Sequence, residues 1–266
     1  MNIEALPDYL AQQAERVTIP GAQPYFLDGT SETAFLTLHG WAATAESVRF
    51  LARGLADAGH AVLAPTLPGH GTSPEDMVRF GPTDWMAAAR DGLAVLRDRF
   101  ERVFVLGISM GGALALQVAG SHPDLIEGVI TVNAPVFMGR AEFAREILST
   151  PAAATLAGWK VPAFMGPAVP EISYPERRKK SGADLIAMCG LAREILPLIT
   201  RPLLVFHAVA DPVVPKACAD EIFDKAGSNA KRIVWLENSY HVSQLDLDRD
   251  RIVRETLDFA RTAIPA

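Results

Sequence analysis

The chain has 266 residues, 49% of them hydrophobic and 21% charged, a balance that supports one α/β domain or two small ones and argues against disorder. Its formal net charge of −6 argues against a general nucleic-acid binder, which carries a basic face. Two cysteines, Cys189 and Cys218, have neither a metal-ligand spacing nor a disulfide framework, so both are expected to be free thiols and no metal is implied.

In chain order, Met1-Asn2-Ile3-Glu4-Ala5-Leu6-Pro7 lacks the basic and apolar regions of a secretory signal, and no stretch is apolar for long enough to cross a bilayer. The expectation is a cytoplasmic location without stable membrane insertion. Apolar strand-like runs then alternate with helical patterns, which predicts a mostly parallel central sheet with helices on both faces. The first strand covers 34–38 and leads into the loop His39-Gly40-Trp41-Ala42-Ala43. A helix over 45–58 keeps Val48, Leu51, Leu55 and Ala58 at near-helical spacing. The strand at 61–65 exits through the turn-rich Leu67-Pro68-Gly69-His70-Gly71. A helix opens at Thr83-Asp84-Trp85 and runs to about Phe100. A strand at 102–106, a helix behind it and a strand at 128–132 follow.

The alternation then stops. Residues 135–196 carry Phe137, Met138, Trp159, Met188 and several other large apolar side chains among six prolines, too long and too apolar for a passive loop. They are read as an inserted, partly helical cap, with 1–134 and 197–266 as the core. Within the cap, the basic run Arg177-Arg178-Lys179-Lys180 is read as a solvated loop or a helix start. Alternation resumes with a strand at 203–207, a helix over 216–226, a strand at 232–236 and a last helix over 248–263.

Between the strand at 102–106 and its helix lies Gly107-Ile108-Ser109-Met110-Gly111, a G-x-S-x-G pentapeptide. A serine at such a turn projects its hydroxyl above the sheet edge, and a Cβ at Gly107 or Gly111 would crowd the turn or the strand–helix contact. The simpler alternative is that Ser109 only caps the helix. A serine nucleophile needs a base, and the base needs an acid that fixes its tautomer. Asp211 follows a late strand and His241 follows the next, so both belong at the carboxyl ends of parallel strands, where open α/β sheets bind ligands. Among the other histidines, His60 enters a strand from the far end, His122 ends a helix and His207 lies in a strand. Asp246 and Asp248 are explained by placement at the start of the last helix. Two N–H donors are needed for an oxyanion; the backbone N–H groups of Met110 and Trp41 are the candidates.

Taken together, Leu38-His39-Gly40, Leu67-Pro68-Gly69-His70-Gly71, Gly107-Ile108-Ser109-Met110-Gly111-Gly112, Asp211-Pro212-Val213-Val214-Pro215 and Asn238-Ser239-Tyr240-His241-Val242 resemble the α/β-hydrolase superfamily. Within it the chain is similar to the bacterial carboxylesterases and monoacylglycerol lipases. The resemblance covers most of 33–134 and 200–262 and fades over the cap. It implies an α/β-hydrolase fold and a serine carboxylic-ester hydrolase acting through an acyl-enzyme. The triad would be Ser109, Asp211 and His241, the substrates small to medium apolar acyl esters such as monoacylglycerols, and the cofactor none. Substrate contacts are expected from His39, Gly40, Phe137, Met138, Trp159 and Met188. In bacterial monoacylglycerol lipases a cap glutamate helps to bind glycerol. Here Pro175 stands where that acid is expected and Glu176 is the adjacent candidate, a departure that leaves monoglyceride preference open. Acyl transfer to an alcohol, carbon–carbon bond hydrolysis and non-catalytic ligand binding on the same fold are the alternatives. The partner expected is a small-molecule ester rather than nucleic acid, with the oligomeric state open.

Overall fold

The computed structural model describes residues 5–149, 151, 154–156 and 161–263. Among these, seven strands form one sheet: β1 (Tyr25–Leu27), β2 (Thr33–Leu38), β3 (Ala61–Ala64), β4 (Arg102–Ile108), β5 (Gly128–Val132), β6 (Leu203–Ala208) and β7 (Lys231–Leu236). Their order across the sheet is β1-β3-β2-β4-β5-β6-β7. Only the edge strand β1 runs antiparallel to its neighbour. With β2 and β4 at the centre, buried on both faces, the strands read as near-continuous apolar runs, as parallel sheets require.

The period of two along each strand sorts side chains to two helical layers. Ala34, Leu36, Leu38, Val103 and Val105 pack against α3 (Pro82–Arg97), α4 (Met110–Ser121) and α6 (Lys179–Ile195). Phe35, Phe104, Leu106 and Ile130 pack on the opposite face against α2 (Arg49–Asp57) and α8 (Arg249–Ala263). The helix expected over 45–58 begins as a 3₁₀ turn at Ala45–Val48 and becomes α-helical only at Arg49. Two elements had no sequence signal strong enough to read. One is β1, only three residues long. The other is α1 (Ala5–Glu15), which docks on α3 where the Tyr9 hydroxyl donates to Ala88 O at 3.2 Å.

Residues 135–196 do not behave as one insertion. Their last part is α6, whose Leu185, Met188, Cys189 and Ala192 sit in the same core as α4. Gln117 Nε2 of α4 donates to Met188 O at 2.9 Å. We propose that the cap, expected over 135–196, ends near 178. α6 completes the sheet's own layer, and its apolar face was counted as cap because no strand stands between it and 134. Among the described residues, what remains above the sheet is α5 (Ala141–Ser149) and the segment 161–178, with an antiparallel bridge between Thr155 and Arg178. The last helix on the α3 side is α7 (Ala217–Lys225). Cys189 and Cys218 are buried free thiols. No helix among the described residues is long and apolar enough to cross a membrane.

Candidate active site

Ser109 sits between β4 and α4 at φ 51°, ψ −120°, in the left-handed half of backbone space that a non-glycine residue occupies only under constraint. The constraint is visible. A Cβ on Gly107 would lie 2.0 Å from Gly111 O, and one on Gly111 would lie 2.2 Å from Leu38 O, so strand, turn and helix close to backbone contact. Ser109 N–H donates to Val132 O at 2.8 Å, which ties the turn to β5. Its hydroxyl makes no capping bond to α4, which removes the helix-cap explanation of the motif. It faces His241 Nε2 instead, at 3.0 Å.

His241 Nδ1 lies 2.8 Å from Asp211 Oδ2. The other oxygen, Oδ1, accepts from Val213 N–H at 2.7 Å and Val214 N–H at 3.0 Å. Burial pushes the Asp211 carboxyl up, but the His241 charge, the bond from His241 and these two N–H groups outweigh it and hold the pKa below the usual carboxylate range. An ionised carboxylate can only accept, so the proton between the pair belongs to Nδ1 and the Nε2 lone pair faces Ser109. Asp211 thereby sets the tautomer that a base for Ser109 needs.

The His241 loop is held from beneath by Asn133, at φ 49° on the end of β5. Its amide Nδ2 donates to His241 O at 2.7 Å and Ser243 Oγ at 2.9 Å, while Oδ1 accepts Ala208 N–H at 2.8 Å. Asp246 and Asp248 are corrected from simple helix-start charges. Asp248 accepts from Asn238 N–H and the Ser239 hydroxyl, and Asp246 accepts four backbone N–H groups. The rival histidines lie elsewhere: His60 bonds Ser31, His122 bonds Ser121, and His207 is buried against Val214 O.

Gly40 lies beside the serine; a Cβ on it would sit 3.5 Å from Ser109 Cβ. The next residue, Trp41, has no backbone acceptor for its N–H among the described residues. Met110 opens α4, so its N–H has no carbonyl within the helix to meet. His39 is fully buried behind this loop and does not line the cavity. Leu67 N–H donates to His39 Nε2 at 2.9 Å, so Nδ1 carries the proton and donates to Gly40 O, also at 2.9 Å. Burial, followed by neighbouring His70, pushes the His39 pKa down to about 3. Burial lowers that of His70 to about 4.

Ser109 and His241 open onto a cavity of about 300 Å³. Gly40, Trp41 and Met138 line it as expected; Met110 and Asp211 lie behind it. Three of the residues expected to contact substrate lie off the cavity wall. Phe137 lies under the Arg193 guanidinium, 5.9 Å from its ring centroid, and Met188 is fully buried against Gln117. Glu176 is exposed and off the cavity wall. Trp159 lies outside the described residues.

The wall holds residues that sequence reasoning missed, above all Glu171, Ser173 and Arg177, with Phe143, Leu185 and Gln244. A signal was present. Glu171, Ser173, Pro175 and Arg177 alternate, and the residues between them face the core loops: Ile172 O accepts from Thr44 Oγ1 at 3.2 Å. Tyr174 N–H donates to Ala42 O at 2.9 Å, and its hydroxyl donates to Gly69 O at 2.9 Å. That is the two-residue period of an extended segment, placed between Pro170 and the helix start. Burial raises the Glu171 pKa, opposed by the nearby His241 charge. The Arg177 guanidinium lies 5.3 Å from the Trp41 ring centroid and has no ion-pair partner within 4.0 Å among the described residues. No cluster of metal-ligating side chains occurs among the described residues.

This sheet, with a strained serine on the turn after its central strand, an aspartate after β6 and a histidine after β7, is an α/β-hydrolase fold, and the chain belongs to the alpha/beta hydrolase family, whose profile matches residues 35–255. It is 35% identical over 249 residues to a thermostable monoacylglycerol lipase of Bacillus sp. (strain H-257), covering 91% of this chain and 95% of that one. It is 29% identical over 240 residues to a carboxylesterase of Bacillus subtilis (strain 168), covering 89% and 95%. A solved structure from work on the metagenome-derived lipolytic enzymes LipS and LipT superposes with a TM-score of 0.88 at 35% identity, covering 92% and 99%.

Proposed function

We propose that the protein is a serine carboxylic-ester hydrolase, with Ser109 as nucleophile, His241 as base and Asp211 as the group that orients the imidazole. The single observation that carries this reading is the continuous chain from Asp211 Oδ2 to His241 at 2.8 Å and from His241 to Ser109 Oγ at 3.0 Å, opening onto a cavity. Ser109 Oγ attacks the ester carbonyl as His241 Nε2 takes its proton. The N–H groups of Trp41 and Met110 hold the developing oxyanion. Collapse of the tetrahedral intermediate expels the alcohol, which receives that proton from His241. Water, deprotonated by His241, then attacks the acyl-serine and releases the acid. Side chains and water suffice for every step.

The cavity supports an apolar acyl group and a polar alcohol. Met138, Phe143, Leu156 and Leu185 offer an apolar wall, whereas Glu171 and Arg177 offer an acceptor and a donor for hydroxyl groups. Two further polar atoms of lining residues, Trp41 Nε1 and Gln244 Oε1, are buried without a partner among the described residues. Monoacylglycerols fit this division, and the 35% identity to a monoacylglycerol lipase points the same way. Glu171 takes the place first given to Glu176.

A fluorophosphonate probe with peptide mapping, run beside hydrolysis of p-nitrophenyl esters and 1-monoacylglycerols of graded chain length, tests this. Stoichiometric labelling at Ser109 with turnover of both series is expected. An unlabelled Ser109 and no ester turnover would contradict it and return the non-catalytic reading.

A further inference from the structure

Asp246 is a nearly buried carboxylate with no place in the triad. Both of its oxygens are used twice. Oδ2 accepts Met165 N–H at 2.7 Å and Tyr240 N–H at 3.0 Å. Oδ1 accepts Gly166 N–H and Leu247 N–H, each at 2.9 Å. Leu247 is the next residue in sequence, and the other three donors come from two places. Met165 and Gly166 belong to the cap stretch above the cavity, and Tyr240 is the residue before His241. A fifth bond runs parallel, from Val242 N–H to Ala163 O at 3.2 Å, and both Ala163 and Val242 line the cavity. Burial raises the Asp246 pKa, but four N–H donors outweigh it and keep the group ionised.

We propose that Asp246 is a positioning residue for His241 and that the cap rim at 163–166 is thereby part of what aims the base at Ser109. The His241 loop has two anchors. Asn133 grips its carbonyls from the end of β5, and Asp246 grips its N–H group from the cap side. The residue between those grips carries the imidazole, and its 3.0 Å contact with Ser109 is the distance on which proton transfer depends. Because each Asp246 oxygen serves two donors, an amide in its place leaves two N–H groups facing an NH₂ whichever way it turns. The same substitution weakens the link between the rim and the histidine loop, leaving the Val242–Ala163 bond to carry more of it, so acyl groups that touch Ala163 and Val242 meet a looser wall.

The proposal takes His241 as the base, and the variant Asp246→Asn tests it against wild-type turnover. The expected result is a folded enzyme whose kcat falls about tenfold or more on both p-nitrophenyl acetate and p-nitrophenyl octanoate, since small misplacements of reacting groups cost up to about a hundredfold. KM rises for the octanoate and stays near wild type for the acetate. The acid limb of the pH–rate profile moves to lower pH. The titratable groups facing His241 are Asp211, Glu171 and His207, all retained in the variant, so that movement reports a loosened Asp211–His241 contact and the lost Asp246 charge. Unchanged kcat with an unmoved acid limb, even at lowered thermal stability, overturns the proposal and leaves Asp246 a structural clamp. Should Asp246→Asn fail to fold, Met165→Pro removes one donor and keeps the carboxylate. It is expected to lower kcat in the same direction by a smaller factor, and wild-type kcat in that variant overturns the proposal equally. Wild-type protein without esterase turnover would instead refute the ester-hydrolase reading itself.

Discussion

The two ends of the cavity are built by different rules. Its floor, Ser109, His241 and Gly40, rides on loops that leave parallel strands, and each loop is fixed by backbone contact with its neighbours. Its roof, among the described residues, is α5 and the segment 161–178, fastened to the core by Tyr174, Thr44 and Asp246 and by two backbone bonds, Tyr174 N–H to Ala42 O and Val242 N–H to Ala163 O. Beneath that floor a Cβ at Gly107 or Gly111 would meet backbone at 2.0 or 2.2 Å, whereas the roof is held at a few separate points. On the proposed mechanism the chemistry belongs to the floor and the choice of ester to the roof, and each half of that division is open to attack.

The largest effect is expected on the floor. His241→Ala removes the base and should cost on the order of 10⁴-fold or more in kcat while leaving the fold intact; steady-state kinetics beside circular dichroism reads both. Gly111→Ala places a Cβ 2.2 Å from Leu38 O and 2.5 Å from His39 O, both backbone atoms. It should destabilise the protein by about 4 kcal/mol or prevent its accumulation, visible in a denaturant titration.

A smaller effect concerns pH. His39 and His70 take up protons in the unfolded chain near pH 6.5, but in the folded chain only near about 3 and about 4. Between those values the unfolded state binds more protons, so stability falls as the pH is lowered below about 6.5. The two groups together should cost about 2–3 kcal/mol at pH 5.5. Asp211, also held low, adds to the loss further into the acid range. A urea midpoint that stays level from pH 7.5 to 5.0 would remove this role for the buried pair.

On the roof, Glu171→Gln should lower kcat/KM on a 1-monoacylglycerol by about tenfold, the loss of one charge-assisted bond, and change that of the matching methyl ester less than about twofold. Glu176→Ala should leave both unchanged, since that side chain is exposed and off the cavity. Equal losses on the two esters, or a loss at Glu176, would place alcohol recognition elsewhere.

The same division explains what was legible in the chain. Strands β4, β5 and β6 and the turn at Ser109 could be read because burial on both faces forces continuous apolar runs, and backbone contact forces glycine at 107 and 111. Asp211 and His241 followed from strand order. The roof obeyed no such rule. Large apolar side chains pointed to Phe137 and Met188, yet Met188 lies in the core and Phe137 packs against it. Glu171 and Arg177 lie in a segment whose alternation is present but short and broken by proline, and Arg177 was read with the basic run at 177–180 instead. α6 was counted as cap because helix periodicity says which face is apolar and not which neighbour covers it.

The most direct test of the account is kcat/KM of Ser109→Ala on a p-nitrophenyl ester, with folding checked by thermal melting. The Ser109 side chain makes no capping bond, so the melting temperature should stay within a few degrees of wild type while kcat/KM falls by at least about 10⁴-fold. A variant that melts like wild type and retains most of its turnover would contradict the account, because the hydrogen-bonded chain from Asp211 through His241 would then end on a residue the reaction does not need.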